Sequence, residues 1–289
     1  MDKNLIKAVI AYSAKPPTIF YPIPLLPILI VGFADGSLLD IAIVILFTSL
    51  FYSALNLWNH VNDYKEDFEA GKNTPFIYDN VRKATTAYVF LAYALSLVIF
   101  FTLSSTPLGK ILFTIVLLLT FLYSDNMITK LRLKKHYATE LLTYIVCVPS
   151  FILSLHDLVK PINDKAVLLS LSFSPFVIST VFIKDLKDIS EDRRAGWKTL
   201  GVVFEAENLI KTFFCLNILF YITFAAFSQK FIKISPIFPI AFSLIPAYYF
   251  VKSSKENWAI SFELARRVQM TVYAGFFFTI IYAVLFYFE

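Results

Sequence analysis

The chain has 289 residues, of which 58% are hydrophobic, 17% aromatic and 16% charged, and its formal net charge is +5. Soluble domains carry about 25% charged residues, so this composition excludes an ordinary soluble domain and indicates that much of the apolar surface faces lipid. Both cysteines lie inside apolar runs, which excludes a disulfide framework and a cysteine-based metal site. The basic residues alternate with long apolar runs, so membrane topology explains the positive charge better than binding to nucleic acid does.

Nine apolar runs approach or reach the length that crosses a bilayer as a helix, which takes about 20 mostly apolar residues. They cover residues 17–34, 38–58, 84–105, 108–124, 141–156, 165–182, 208–227, 233–252 and 268–288. The sequence therefore predicts an all-α fold, a polytopic membrane bundle of nine transmembrane helices that forms one domain over residues 1–289. Four prolines in the first run predict a tilt or kink there.

The basic residues are distributed unequally between the two sides that nine spans define. Twenty-one of the 26 Lys and Arg residues fall in the N-terminal segment and in the connections on its side. The opposite side has only Lys110, Lys160, Lys165, Lys230 and Lys233. Because cytoplasmic loops contain the positive excess, the sequence predicts a multi-pass protein of the cell membrane with a cytoplasmic N-terminus.

The second run continues past its apolar end into an acidic stretch, residues 56–72. Asn59, Asp63 and Asp67 recur in it every four residues. On a helix, this spacing places the three side chains on one face, where like charges repel. The pattern indicates either a solvated helix end or a binding site.

A second acidic stretch, residues 184–202, follows the sixth run. Asp185, Asp188 and Asp192 again share a helix face, and the stretch lies on the same predicted side as the first one. One cavity could therefore receive both stretches. The repetition of the pattern favours a functional site over two solvated helix ends.

Carboxylate and amide oxygens without His or Cys suit a hard cation such as Mg²⁺, with Mn²⁺ as an alternative. Four such carboxylates, two from each acidic stretch, repel one another unless they are neutralised. Two Mg²⁺ ions bridged by a diphosphate would balance their charge. Lys184 and the basic loop between the fourth and fifth runs are candidate partners for the diphosphate. The positive-inside bias alone, however, explains any single one of these cations.

The two acidic motifs resemble those of the UbiA superfamily of membrane prenyltransferases, which have nine transmembrane helices and two Asp-rich motifs on the cytoplasmic side. The first family motif, N-x-x-x-D-x-x-x-D, matches Asn59, Asp63 and Asp67. The second, D-x-x-x-D, matches Asp188 and Asp192.

The loop after the fourth run resembles a third family feature, which begins with Tyr-Ser or Tyr-Pro and ends in Lys. Tyr123, Ser124, Lys130 and Lys134 match it. Glu140 stands where many members have an acidic residue. The resemblance therefore extends over essentially the whole chain.

The resemblance implies a Mg²⁺-dependent enzyme that moves a prenyl group from an isoprenyl diphosphate to an aromatic quinone precursor or another lipophilic acceptor. The catalytic carboxylates that it implies are Asp63, Asp67, Asp188 and Asp192. The implied metal ligands are Asn59, Asp63, Asp67, Asp185, Asp188 and Asp192. The implied substrate-binding residues are Asn59, Tyr123, Lys130, Lys134 and Lys184.

Two other functions remain compatible with the sequence. A terpene cyclase of the same superfamily would ionise the same diphosphate and need no acceptor. A secondary transporter would also have many spans and functional carboxylates, but its acidic residues are expected near the middle of the membrane rather than at helix ends.

Overall fold

The structure, a computed structural model, describes residues 3–13, 21–231 and 235–286. These residues form helices and connecting loops without a β-strand. The helices are α1 Lys3–Ser13, α2 Leu26–Phe33, α3 Leu38–Asn62, α4 Tyr64–Glu69, α5 Asp79–Leu103, α6 Pro107–Ser124, α7 Tyr137–Asp157, α8 Asp164–Lys184, α9 Ile189–Arg194, α10 Leu200–Val203, α11 Ala206–Phe231, α12 Ile237–Lys255 and α13 Phe262–Leu285. Short 3₁₀ turns cover Pro75–Ile77, Leu133–Lys135 and Asp185–Lys187, and a π-helical turn covers Tyr21–Leu25.

Seven helices of the described ranges are long and apolar enough to cross a membrane, namely α3, α5, α6, α7, α8, α11 and α13. This confirms the predicted all-α, polytopic class. The first predicted run corresponds to the shorter apolar segment Ile23–Phe33, and its residues 17–20 lie outside the described part. The eighth corresponds to α12, which has 19 residues, and residues 233–234 lie outside the described part. The predicted count of nine is thus approximate.

Polar residues determine where two of the spanning helices begin. At the start of α3, Ser37 N donates to Asp40 Oδ2 at 2.7 Å and Asp40 N donates to Ser37 Oγ at 3.3 Å, which forms a capping box. At the start of α6, Gly109 N donates to the Thr106 hydroxyl at 3.0 Å. Pro24 lies inside the π-helical turn before α2, and its missing N–H accounts for the irregularity that the prolines predict there.

Several spanning helices begin earlier than the sequence predicts, and in two of them, α7 and α13, the predicted boundary stops at a charged residue. Helix α7 starts at Tyr137 and includes Glu140, although the predicted run starts at residue 141. Helix α13 starts at Phe262 and includes Arg267, although the predicted run starts at residue 268. Both predicted boundaries stop at a charged side chain, but a paired charge is tolerated in a helix. Arg267, for example, donates to Glu256 at 2.7 Å.

The chain divides into two compact units. The first unit contains Met1–Lys134, Ser154–Ile162 and Phe286–Glu289, and the second contains Lys135–Leu153 and Asn163–Leu285. The single domain over residues 1–289 stays a prediction.

Aromatic rings form a large part of the core in each unit. In the first unit, the ring centroids of Phe100 and Phe113 lie 4.4 Å apart. In the second unit, those of Phe176 and Phe220 lie 5.1 Å apart. A Cβ atom at Gly275 would lie 2.1 Å from the Phe176 ring, so α13 approaches α8 closely because residue 275 has no side chain.

Candidate functional site

The first acidic motif lies where α3 ends. Helix α3 ends at Asn62, Asp63 has non-helical backbone angles of φ −96° and ψ 5°, and α4 begins at Tyr64. Asp63 N still donates to Asn59 O at 3.0 Å, and Asp67 N donates to Asp63 O at 2.9 Å. The predicted continuous helix is therefore interrupted at Asp63, but the three motif residues remain about one turn apart.

Two cations from the loop after α6 bind the carboxylate of Asp63. Lys134 Nζ donates to Asn59 Oδ1 at 2.7 Å and also to Asp63 Oδ2. Arg132 donates to Asp63 Oδ1 and to Glu66 Oε1, each at 2.5 Å, and its side chain is only 1% exposed. These are charge-assisted hydrogen bonds with specific partners. The positive-inside bias, which could explain any one cation of this loop, is therefore not a sufficient explanation for Arg132 or Lys134.

Asp125 organises the loop in which both cations lie. Its buried carboxylate accepts main-chain hydrogen bonds from residues 127–129 at 2.6 to 3.0 Å, and another from the Thr129 hydroxyl at 2.7 Å. Burial by itself would raise the pKa of Asp125, but these hydrogen bonds outweigh it, so the pKa lies below its ordinary value. Asn126 N donates to Asn62 Oδ1 at 2.7 Å, which attaches the loop to the end of α3.

Asp67 has a separate set of partners. His60 Nδ1 lies 3.3 Å from one carboxylate oxygen of Asp67, and Lys72 Nζ donates to the other at 3.1 Å. Burial by itself would raise the pKa of Asp67, but the hydrogen bonds with His60 and Lys72 outweigh it and lower the pKa. The His60 ring packs edge-on against Tyr12 of α1, with 4.5 Å between the centroids. His60 thus has a polar neighbour in Asp67 and an aromatic neighbour in Tyr12.

The second acidic motif lies at the end of α8, in the second unit. The 3₁₀ turn Asp185–Lys187 follows α8, and Asp188, with φ −106° and ψ 8°, precedes α9. Asp188 N donates to Asp185 O at 3.1 Å, and Asp192 N donates to Asp188 O at 2.9 Å. The predicted continuous helix is broken here too, at the same place in the motif.

Lys184 binds two carboxylates of the second unit. Its Nζ donates to Glu140 Oε1 at 2.5 Å and to Asp185 Oδ1 at 3.0 Å. The Glu140 side chain, from α7, is only 1% exposed. The pairing explains how a carboxylate can be buried inside a spanning helix.

Asp192 lies in an environment that disfavours its ionised form. Burial raises the pKa of Asp192, a hydrogen bond from Thr199 at 2.8 Å opposes the rise, and the charges of Asp185 and Asp188 add to it. The carboxylates of the second motif therefore repel one another, and a bound cation would relieve this repulsion.

The two motifs are local copies of each other. Residues 63–71 and 188–196 share the pattern Asp-x-x-Glu-Asp-x-x-Ala-Gly. Each includes a six-residue helix and ends at a left-handed glycine, Gly71 with φ 76° and Gly196 with φ 71°. Because Glu66 and Glu191 occupy the same place in the pattern, the repeat is a signal in the sequence for an acidic position besides the aspartates.

The structure brings only some of the predicted residues into direct contact. Asn59, Asp63 and Lys134 meet in the first unit, while Lys184 and Asp185 meet in the second. Two further residues are predicted to bind substrate. Lys130 lies on the exposed part of the loop after α6, and Tyr123 is half-buried in the last turn of α6.

Sequence reasoning does not select Arg132, Glu66 or Asp125 as site residues. Arg132 belongs to a run of basic residues in which no member is distinguished by the sequence, and its backbone is left-handed, with φ 43°. Asp125 follows the Tyr-Ser pair, but its role depends on a turn that only the structure defines.

The oxygen atoms of the first motif suit a cation that is completed by other ligands. In the described part of the chain, no three His, Cys, Asp or Glu side chains are grouped closely enough to hold a metal ion. Mg²⁺, however, needs only one or two protein carboxylates, because water and phosphate oxygens supply the rest. The Asn59 amide oxygen and an Asp63 carboxylate oxygen converge on one cation, the Lys134 ammonium. The donor set therefore fits a divalent metal.

Comparison with known proteins identifies relatives along nearly the whole chain. The profile of the UbiA prenyltransferase family matches residues 21–272. An uncharacterised protein of Archaeoglobus fulgidus is 32% identical over 289 residues, which is 97% of this chain and 99% of that protein.

Two solved structures are similar in fold. A digeranylgeranylglyceryl phosphate synthase has a TM-score of 0.76 and 15% identity, over 99% of this chain and all of that one (100%). A UbiA homologue from Archaeoglobus fulgidus, bound to GPP and Mg²⁺, has a TM-score of 0.67 and 16% identity, again over 99% and 100% of the two chains. At these identities the likeness shows the fold.

Proposed function

The chain belongs to the UbiA prenyltransferase family and is an integral, multi-pass membrane prenyltransferase, and we propose that it moves a prenyl group from an isoprenyl diphosphate to a lipophilic acceptor. The observation on which this proposal mainly depends is the convergence of Asn59 and Asp63 oxygens on a single cation, in a motif that the chain repeats. Transport is not proposed, because the family match and the helix-end positions of the carboxylates both favour chemistry on a diphosphate.

Mg²⁺ is the metal that the oxygen donors favour, and a homologue with this fold binds GPP together with Mg²⁺. We assign Asn59, Asp63 and Asp67 to the metal in the first unit. Asp185, Asp188 and Asp192 are the corresponding residues in the second unit. When bound, the metal neutralises the charge that develops on the diphosphate as the bond to the prenyl carbon breaks.

The chain's own cations are proposed to bind the leaving diphosphate. Lys134 and Lys184 already donate to motif carboxylates, so each is close to the place where a metal-bound phosphate oxygen would lie. Lys130, exposed on the loop, is the third proposed cation, and Tyr123 is the proposed neighbour of the prenyl chain at the end of α6. Exclusion of water by the membrane would protect the allylic cation until the acceptor attacks.

We favour a glyceryl phosphate lipid as acceptor over an aromatic quinone precursor. The support is the fold likeness to a digeranylgeranylglyceryl phosphate synthase, whose TM-score of 0.76 exceeds the 0.67 of the GPP-bound homologue. We also propose that the protein lies in the cell membrane with its N-terminus and both motifs on the cytoplasmic side, an orientation that the distribution of Lys and Arg supports.

The test is product analysis with the purified full chain in detergent and Mg²⁺. Geranyl and geranylgeranyl diphosphate are each supplied with a prenylated glyceryl phosphate, with an aromatic quinone precursor, or alone, and mass spectrometry identifies the products. A new ether lipid supports the favoured acceptor, and a prenylated aromatic product supports the other. A cyclised hydrocarbon formed from diphosphate alone would instead identify a cyclase and overturn the proposed transfer.

A further inference from the structure

We propose that Arg132 and Lys134 are exchangeable counter-ions of the first motif, so that a divalent metal binds there tightly only together with a diphosphate. This inference rests on the function proposed above. Both carboxylate oxygens of Asp63 are engaged, Oδ1 by Arg132 at 2.5 Å and Oδ2 by Lys134. A metal that binds Asp63 must therefore displace at least one of the two cations.

Charge balance makes displacement by the metal alone unfavourable. The carboxylates of Asp63 and Glu66 are matched by the guanidinium of Arg132 and the ammonium of Lys134. A divalent metal that binds Asp63 without an anion would deprive one or both cations of this carboxylate, although Arg132 would keep Glu66 and Lys134 would keep Asn59. The Arg132 side chain is 1% exposed and that of Lys134 is 9% exposed, so neither can simply turn into water. Removal of a carboxylate partner from a buried cation is destabilising, because the charge is then less well compensated.

A diphosphate removes this obstacle because it offers new partners to the displaced cations. A guanidinium binds phosphate oxygens with two parallel hydrogen bonds, and an ammonium binds them as a compact charge. The metal and the diphosphate therefore each make the binding of the other more favourable. Such coupling is reciprocal by thermodynamic necessity.

Hydrogen bonds fix the backbone of the loop, so that it can stay in place while the cations exchange partners. Arg132 N donates to Asp125 O at 3.2 Å, and the Asp125 carboxylate closes the turn before it. Ser124 Oγ donates to Asn59 Oδ1 at 2.6 Å at the other end of the loop. Exchange of partners then requires rotation of two long side chains and no unfolding of the loop.

The test measures Mn²⁺ binding to the full chain by electron paramagnetic resonance of free Mn²⁺. It is done with and without geranyl S-thiolodiphosphate, an unreactive analogue, after correction for Mn²⁺ bound by the analogue in solution. For the wild type, the analogue should tighten Mn²⁺ binding about tenfold or more. Arg132→Gln should bind Mn²⁺ alone about tenfold tighter than the wild type does, and should gain less from the analogue.

Lys83→Gln is the matched control, because Lys83 pairs at 2.7 Å with the exposed Asp79, outside both motifs. It should bind Mn²⁺ as the wild type does. Arg132→Lys, which retains the charge, should also keep the coupling. If Arg132→Gln does not fold, as judged by circular dichroism, Lys134→Gln replaces it with the same expected shift.

Equal or weaker binding of Mn²⁺ alone by the folded Arg132→Gln or Lys134→Gln protein would overturn the counter-ion proposal and leave the proposed function intact. A wild-type protein that binds no Mn²⁺ even with the analogue would instead overturn the function on which the inference rests.

Discussion

Arg132 donates to Asp63 at 2.5 Å across 69 residues of sequence, and the pair is nearly closed to solvent. The acidic residue of the first motif is therefore neutralised by a loop that follows α6, three helices later in the chain. This relationship makes the loop a part of the site.

Replacement of Asp125 should loosen this loop. Asp125→Ala leaves three main-chain N–H groups of residues 127–129 without their acceptor, which should cost about 2 kcal/mol of stability and lower turnover. Asp125→Asn keeps one acceptor oxygen and should be milder. Thermal unfolding in detergent and steady-state turnover are the measurements. Asp79→Ala, at an exposed carboxylate, is the control. Equal stability of Asp125→Ala and the control would show that the turn is not needed.

The Lys184–Glu140 pair gives a second prediction. Glu140→Gln replaces the buried carboxylate partner of the half-buried Lys184 with a neutral amide, so it should destabilise the protein by about 2 kcal/mol. The double variant Glu140→Gln with Lys184→Met should lose less stability than the sum of the two single changes, because neither charge of the pair then remains without the other. Additive losses in this double-mutant cycle would contradict a direct interaction.

Removal of divalent metal gives a third prediction. Chelation followed by desalting should lower turnover at least about 100-fold, because the leaving diphosphate loses the charge that neutralises it. Mg²⁺ or Mn²⁺ should each restore the activity. Undiminished turnover after chelation would exclude a metal role for the carboxylates.

Sidedness is the fourth prediction, and cysteine labelling in sealed cells tests it. Cys147 and Cys215 are first replaced by Ser or Ala, and single cysteines are then placed at Glu69, Glu191 or Asp35. An impermeant thiol reagent outside should label only position 35, because the proposed topology places both acidic stretches on the cytoplasmic side, with most Lys and Arg. External labelling at position 69 or 191 would reverse the orientation.

The membrane class and both acidic motifs could be predicted because they depend on local signals. A run of apolar residues and a spacing of four are visible in a single segment of sequence. The break in each motif, at Asp63 and at Asp188, was not predictable. The residue at the break has non-helical backbone angles, but main-chain hydrogen bonds with helical spacing continue on both sides of it, so the spacing of the motif does not change.

Pairing between distant residues was beyond prediction for a different reason. In the sequence, Glu140 marks the residue before an apolar run. Its partner Lys184, 2.5 Å away, lies 44 residues later in the chain. Arg132 is one of several basic residues in its loop, and what selects it is the turn around Asp125 together with its own left-handed φ of 43°. No pattern in the sequence specifies which loop residue will meet which carboxylate.

The most direct test of the central claim is Mg²⁺-dependent release of pyrophosphate from a prenyl diphosphate, with acceptor present, by the wild type and by variants in each motif. Asp63→Asn and Asp188→Asn should each lower the rate about 100-fold or more, since each removes a proposed metal ligand without changing side-chain volume. Asp79→Asn, an exposed carboxylate outside the motifs, should release pyrophosphate at the wild-type rate. Wild-type rates in either motif variant, with the protein folded and in the membrane, would contradict the assignment of the carboxylates to the metal and diphosphate.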